Sequence, residues 1–210
     1  AITGVVAYAI YAMAVQQGAG GLELTAFGNF MFASGFKWVV IFAPLAMVFF
    51  LSMRIGSMSL GTAQLSFWVF SALMGASISS IFLVYAGESI ARVFFITAAS
   101  FGALSLWGYT TSKDLSGWGS FLFMGLIGII IASLVNLFIG STALQFAVSV
   151  IGVLVFAGLT AYDTQQIKEM YSANDDGSMS GRKAVMGALR LYLDFINLFM
   201  MLLQLFGDRR

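Results

Sequence analysis

The sequence has 210 residues, of which 60% are hydrophobic and 9% are charged, and its mean hydropathy is +0.95. Soluble domains carry about 25% charged residues, so the composition predicts an integral membrane protein. The net charge of +1, without a basic cluster, gives no sign of nucleic-acid binding, and the absence of Cys and His excludes disulfides, thiolate sites and imidazole bases.

Seven apolar runs predict an all-α bundle of seven helices. An apolar layer about 30 Å thick needs about 20 residues, so the first run is short. Most connections are also short, which favours antiparallel neighbours in a single transmembrane domain over residues 1–210; the longer ones are Gln17 to Phe36 and Glu169 to Arg182. The predicted helices cover about residues 1–16, 37–53, 62–86, 89–109, 118–139, 142–167 and 184–206.

The distribution of Lys and Arg favours a cytoplasmic N-terminus. With this orientation the outer loops hold Lys37 and Arg92. The C-terminal Asp208-Arg209-Arg210 disagrees, because seven crossings place both arginines outside. Either the last helix crosses against the rule, or it is re-entrant and returns the tail to the cytoplasm. The basic residues of the inner loops are Arg54, Lys113, Lys168, Arg182 and Lys183.

The last predicted helix carries polar residues inside an apolar run. Asp194 lies near its middle, with Arg190 one turn before and Asn197 one turn after. A carboxylate at such a depth costs about 2.5–3.5 kcal/mol on insertion scales, so it should face protein and not lipid. We therefore expect this helix to be central, with the other six packed around it.

A second carboxylate, Asp163, lies five residues before Lys168, near the inner edge of the predicted sixth helix. The loop between the last two helices allows Asp163 and Asp194 to meet. Two carboxylates within hydrogen-bonding reach do not both ionise cheaply and titrate as a unit, which predicts a proton sensor near neutral pH. Two alternatives remain: each aspartate separately caps or hydrogen-bonds a helix, or Arg190 and Asp194 form an i,i+4 ion pair.

Three other charged residues are candidates. Arg54 ends the predicted second helix and either snorkels to the interface or serves as a counter-ion for Asp163, tying the second helix to the sixth. Glu88 and Arg92 have i,i+4 spacing at the outer start of the fourth helix. They form either a surface ion pair or an outer mouth that attracts cations.

Enzyme motifs are absent from the sequence. It has no H-E-x-x-H, no phosphate-binding glycine loop with G-K-[ST], and no Cys or His nucleophile set. The surroundings of Asp163 and Asp194 do not match the paired signatures of intramembrane aspartyl proteases. We therefore expect neither enzymatic activity nor a cofactor.

Four stretches together resemble bacterial members of the Bax inhibitor-1 family, also called the transmembrane Bax inhibitor motif family. They are Ser89–Thr111, Lys113–Ser116, Val155–Lys168 and Ala188–Phe199, in order along the chain. The resemblance implies a seven-helix bundle whose last helix is wrapped by the other six. It also implies a pH-sensitive calcium leak, with Asp163 and Asp194 as a proton-sensing pair near the cytoplasmic end of the pore and Arg54 as the arginine that latches Asp163.

Two functions are therefore expected for a multi-pass protein of the bacterial inner membrane. In the first, Asp163 and Asp194 bind protons or Ca²⁺ competitively, because Ca²⁺ prefers carboxylate and carbonyl oxygens, and protonation sets the balance between open and closed states. The sign of the pH response stays open. In the second, the bundle carries no ion flux and binds helices of a membrane partner, such as a membrane-bound AAA protease, or acts in a stress response.

Overall fold

Long helices make up most of the computed structural model, which describes residues 1–18, 21–172 and 176–210. Short 3₁₀ turns at Ile55–Ser57 and Ser116–Trp118 adjoin two of the helices, and a π-helical turn covers Asn29–Ala33. The elements in chain order are α1 (Ile2–Ala14), β1 (Val15–Gly18), β2 (Gly21–Leu24), α2 (Ala26–Gly28), α3 (Phe36–Arg54), α4 (Leu60–Ile78), α5 (Ile81–Val84), α6 (Gly87–Thr110), α7 (Gly119–Ile139), α8 (Thr142–Met170) and α9 (Gly177–Phe206).

Within the described residues, six helical segments are long and apolar enough to cross a membrane, by length and composition. The shorter α1 is also apolar. The predicted all-α class is therefore confirmed, and the protein is a multi-pass membrane protein. The six segments are Phe36–Ser57, Leu60–Val84, Gly87–Thr110, Ser116–Ile139, Thr142–Met170 and Gly177–Phe206.

The predicted third helix, residues 62–86, is divided into α4 and α5. At the break, the Ser79 hydroxyl donates a 2.7 Å hydrogen bond to the carbonyl of Ala76, and the Ser79 amide reaches the same carbonyl at 3.4 Å. Hydrogen bonding three residues back tightens the last turn and ends α4. The prediction of one continuous helix is wrong at this point.

The long connection predicted from Gln17 to Phe36 contains regular structure. Strands β1 and β2 pair antiparallel, with Val15 opposite Leu24, and residues 19–20 lie outside the described residues. Thr25 then begins α2: its hydroxyl accepts the amide of Gly28 at 3.1 Å and donates to the carbonyl of Met13 at 2.8 Å. This segment is therefore fixed against the end of α1.

The connection predicted from Glu169 to Arg182 is shorter in the structure, because α8 continues to Met170 and α9 begins at Gly177. Asp176 caps α9 by accepting the amide of Met179 at 2.6 Å. This bond, together with one from Ser178, holds the pKa of Asp176 below its usual range. Residues 173–175 lie outside the described part of the chain.

The chain divides into two compact units. The first contains Ala1–Ala86 and Arg209–Arg210, and in it α1 and α3 both pack against α4. Gly75 permits the close approach of α1, since a Cβ there would lie 2.6 Å from the carbonyl oxygen of Thr3. The single transmembrane domain expected over residues 1–210 stays a prediction.

The second unit, Gly87–Asp208, holds the site. Within it α8 packs against α6, α7 and α9, and α9 packs against both α8 and α6. The apolar window of α9 is 44% buried, against 11–28% for the other five membrane-length segments. The last helix wrapped by the other six stays a prediction, and within this unit α8 is the helix that contacts all three others.

The last helix runs unbroken for 30 residues, antiparallel to α6. Phe101 packs edge-to-face on Phe195, with ring centroids 5.4 Å apart. Beyond the end of α9, the amide of Asp208 donates to the hydroxyl of Ser89 at 2.9 Å, in the first turn of α6. The end of α9 therefore lies beside the start of α6, and both the full crossing and the re-entrant course of the last helix stay predictions.

Gln165 fixes the connection between α6 and α7. Its amide oxygen accepts the N–H of Leu115 at 2.8 Å, and its Nε2 donates to the carbonyl of Lys113 at 2.9 Å. Gln165 and Leu115 are both buried. The side chain of Gln165, on α8, therefore gives a hydrogen-bond partner to two backbone groups that would otherwise be left without one.

We expect Gln165→Leu to lower the free energy of unfolding by about 1–3 kcal/mol, because it leaves the buried N–H of Leu115 without an acceptor. Cleavage by trypsin after Lys113 should become faster. The matched control is Gln166→Leu, whose side chain makes an exposed 3.3 Å bond to Glu169 and should leave both quantities near wild type. Equal behaviour of the two variants would contradict this role of Gln165.

Candidate functional site

The two predicted aspartates lie on α8 and α9, whose close packing brings them together. Toward one end, a Cβ at Gly152 would lie 2.7 Å from the sulfur of Met201. Toward the other, a Cβ at Gly187 would lie 3.0 Å from a side-chain carbon of Ile167. Asp163 and Asp194 fall between these two contacts, so glycines on both helices set the distance at which the aspartates meet.

The carboxyl groups of Asp163 and Asp194 lie within hydrogen-bonding reach of each other. Asp194 is only 5% exposed, and Asp163 is partly buried. The charge of Arg190, one turn before Asp194, acts on both carboxyl groups. No N–H or hydroxyl in the described part of the chain donates to Oδ2 of Asp194. The pair is thus an arrangement that one proton or one cation can bridge.

Asp163 and Asp194 offer a cation few protein ligands. In the described ranges, no group of three or more His, Cys, Asp or Glu side chains lies together. Ca²⁺ takes about 6–8 oxygen ligands, and two carboxylates supply at most four. A Ca²⁺ ion held by Asp163 and Asp194 would therefore need further ligands from water or carbonyl groups.

Two adjoining grooves lie in the second unit, and neither is lined by Asp163 or Asp194. The first, about 400 Å³, is mainly apolar and has Asn197 in its wall, one turn after Asp194. The second, about 410 Å³, shares Ser133 and Leu137 with the first. It is lined by three side-chain amides: Asn136, Gln145 and Gln204. Polar groups thus recur along α9 from the pair towards its C-terminal end.

The remaining candidates are charged residues near helix ends. Arg54 is the exposed last residue of α3, in the first unit, and its pairing with Asp163 stays a prediction. Glu88 is exposed in the first turn of α6, but Arg92 pairs with Asp208 at 2.7 Å and not with Glu88. Both side chains of that ion pair are more than half exposed, so it stabilises by less than about 1 kcal/mol. An outer mouth at Glu88 and Arg92 stays a prediction.

Membrane-length helices that enclose a carboxyl pair define a polytopic membrane protein with ionisable groups in its interior. A family model described as "Inhibitor of apoptosis-promoting Bax1" matches residues 1–210, and the chain belongs to this Bax inhibitor-1 family. The resemblance seen in the sequence is therefore confirmed.

Three bacterial relatives illustrate the similarity. "Inner membrane protein YbhL" of Escherichia coli K12 is 55% identical over 173 residues, which are 81% of this chain and 74% of that protein. "Uncharacterized protein RP147" of Rickettsia prowazekii is 52% identical over 182 residues, 87% of this chain and 77% of that protein. An uncharacterized protein of Caulobacter vibrioides is 49% identical over 178 residues, 82% of this chain and 69% of that protein.

Proposed function

We propose that this protein is a pH-sensitive calcium leak channel of the bacterial inner membrane, gated by protonation of Asp163 and Asp194. The observation that carries the proposal is the buried contact between the two carboxyl groups. Carboxylates in a membrane span are costly and mark ion or proton pathways.

In this proposal Ca²⁺ is cargo that competes with protons for the carboxylate oxygens of Asp163 and Asp194. The pair with both carboxyl groups protonated has no net charge and does not attract a cation, whereas the ionised pair attracts one. The polar groups of the two grooves, which include Asn197, supply further oxygens along α9. Arg54 serves as the latch that senses the charge of Asp163, and the last helix is wrapped by the other six.

The proposed orientation places the N-terminus and the carboxyl pair on the cytoplasmic side. A full crossing by α9 adds Arg209 and Arg210 to the outer residues Lys37 and Arg92, so five loop residues inside face four outside. The inner positions are Arg54, Lys113, Lys168, Arg182 and Lys183. The rule for positive residues still favours this orientation.

Competition between protons and Ca²⁺ provides the test. In proteoliposomes, a tenfold rise in Ca²⁺ should move the midpoint of the pH-dependent leak to lower pH, by up to about one pH unit, because both ligands occupy the same oxygens. Mg²⁺ is the control, since it dehydrates reluctantly and demands octahedral geometry, and it should move the midpoint less. A midpoint that Ca²⁺ leaves unchanged would rule out binding of Ca²⁺ at the pair.

One observation favours a second candidate, a membrane interaction protein without flux of its own. The apolar window that includes α7 is only 11% buried, which leaves apolar surface for the helices of a partner. A membrane-bound AAA protease is the partner proposed. Under this proposal the double change Asp163→Asn with Asp194→Asn leaves co-purification of that partner from native membranes intact, because the aspartates are structural.

A further inference from the structure

Ser105 differs from six other hydroxyl residues of the membrane helices in its hydrogen bonding. Their usual hydrogen bond goes to the carbonyl four residues earlier. The Oγ of Ser105 is buried and has no hydrogen-bond partner within the described residues. The only other buried side-chain atom of this kind in these residues is Oδ2 of Asp194. Six hydroxyl residues make the usual bond: Ser71, Thr97, Thr110, Ser149, Thr160 and Thr164.

Ser105 lies on a face of α6 that packs against the two helices of the carboxyl pair. One turn before it, Phe101 packs on Phe195, which directly follows Asp194. One turn after it, Gly108 lies so close to α8 that a Cβ would overlap the backbone of Ala161, two residues before Asp163. Ser105 lies between these contacts, on the α6 face that meets both α8 and α9.

We propose that Ser105 is a positioning residue of the carboxyl pair, donating a hydrogen bond through one bridging water to the carboxyl group of Asp194. The hydroxyl is a donor without an acceptor, and the carboxyl oxygen is an acceptor without a donor, so the bond satisfies both buried atoms. A carboxylate oxygen accepts two hydrogen bonds, which leaves room for the contact with Asp163. The bond fixes the orientation of Asp194, and its effect on flux rests on the proposed function.

Infrared difference spectra of the purified protein in lipid nanodiscs, at one fixed pH, test the bond without measuring transport. Subtracting the spectrum of Asp194→Asn from wild type identifies the Asp194 band. In Ser105→Ala a protonated Asp194 should show its carbonyl stretch at higher frequency, because a hydrogen bond weakens C=O. An ionised Asp194 should show a changed separation of its two carboxylate stretches.

Two further variants complete the test. Ser105→Thr keeps the hydroxyl and should keep the wild-type band, and Ser100→Ala, an exposed serine of the same helix, should leave it unmoved. An Asp194 band at the wild-type position in Ser105→Ala would overturn the proposal, as would a Thr variant that behaves like Ala. A leak without pH dependence in wild-type proteoliposomes would instead contradict the proposed function and leave the spectroscopic result standing.

Discussion

Asp163→Asn and Asp194→Asn are each expected to hold the Ca²⁺ leak at its acid value from about pH 5 to pH 8. Asparagine has nearly the shape of aspartic acid and resembles its protonated form, so either variant has lost the pair of carboxylates whose shared titration sets the balance. The prediction does not depend on whether acid opens or closes the wild-type pore. Flux into proteoliposomes, measured against wild type across this pH range, gives the result.

The matched control for these variants is Asp114→Asn. Asp114 is exposed, and hydrogen bonds from the side chain and the amide of Ser116 hold its pKa below the usual range, so it stays ionised throughout the same interval. Its stabilising interaction is lost only in more acidic solution, as pH falls through that lowered value. Asp114→Asn should therefore keep the wild-type pH profile. A double Asp163→Asn, Asp194→Asn variant with wild-type pH dependence would refute the gating role.

Gly108→Ala is expected to destabilise the protein by about 1–3 kcal/mol, because the added Cβ overlaps the backbone of Ala161 and forces α6 away from α8. A backbone neighbour cannot move aside as a flexible side chain can. The free energy of unfolding, from denaturation in mixed micelles followed by tryptophan fluorescence, measures the loss.

Gly102→Ala on the same helix should change stability in the opposite direction. No heavy atom lies within 4 Å of a Cβ built at Gly102, so alanine there should stabilise the helix by about 0.5–1 kcal/mol. The difference in sign separates packing from helix propensity, which is the same for both substitutions. If both variants are stabilised, the close contact between α6 and α8 is not essential to the fold.

Helix positions could be predicted well from the sequence, because apolar length governs them in a membrane. The start of α8 at Thr142 and the end of α9 at Phe206 are the predicted residues. The break after Ile78 was not predictable from hydropathy, since it depends on the serine hydroxyl that bonds to Ala76. The hairpin at Val15–Leu24 was missed for a related reason: its two strands have four residues each, too few for a clear alternating pattern.

The contact between Asp163 and Asp194 was one of the alternatives that the sequence left open, because consecutive antiparallel helices can place such residues side by side. The partner of Arg92 could not be predicted from the sequence, because Asp208 lies 116 residues away and the i,i+4 rule considers only local neighbours. Ser105 carried no sequence signal at all. Ser105 is a candidate because its hydroxyl makes no hydrogen bond to its own helix, and only the side-chain geometry shows this.

The most direct test of a calcium leak gated by the carboxyl pair is Ca²⁺ entry into proteoliposomes of the wild-type protein, with a calcium-sensitive dye inside and the external pH varied. The account predicts a leak above that of protein-free liposomes, with a rate that changes between about pH 5 and pH 8. No leak at any pH, from protein whose helical content and unfolding free energy are intact, would contradict it. The interaction with a membrane partner would then be the function to pursue.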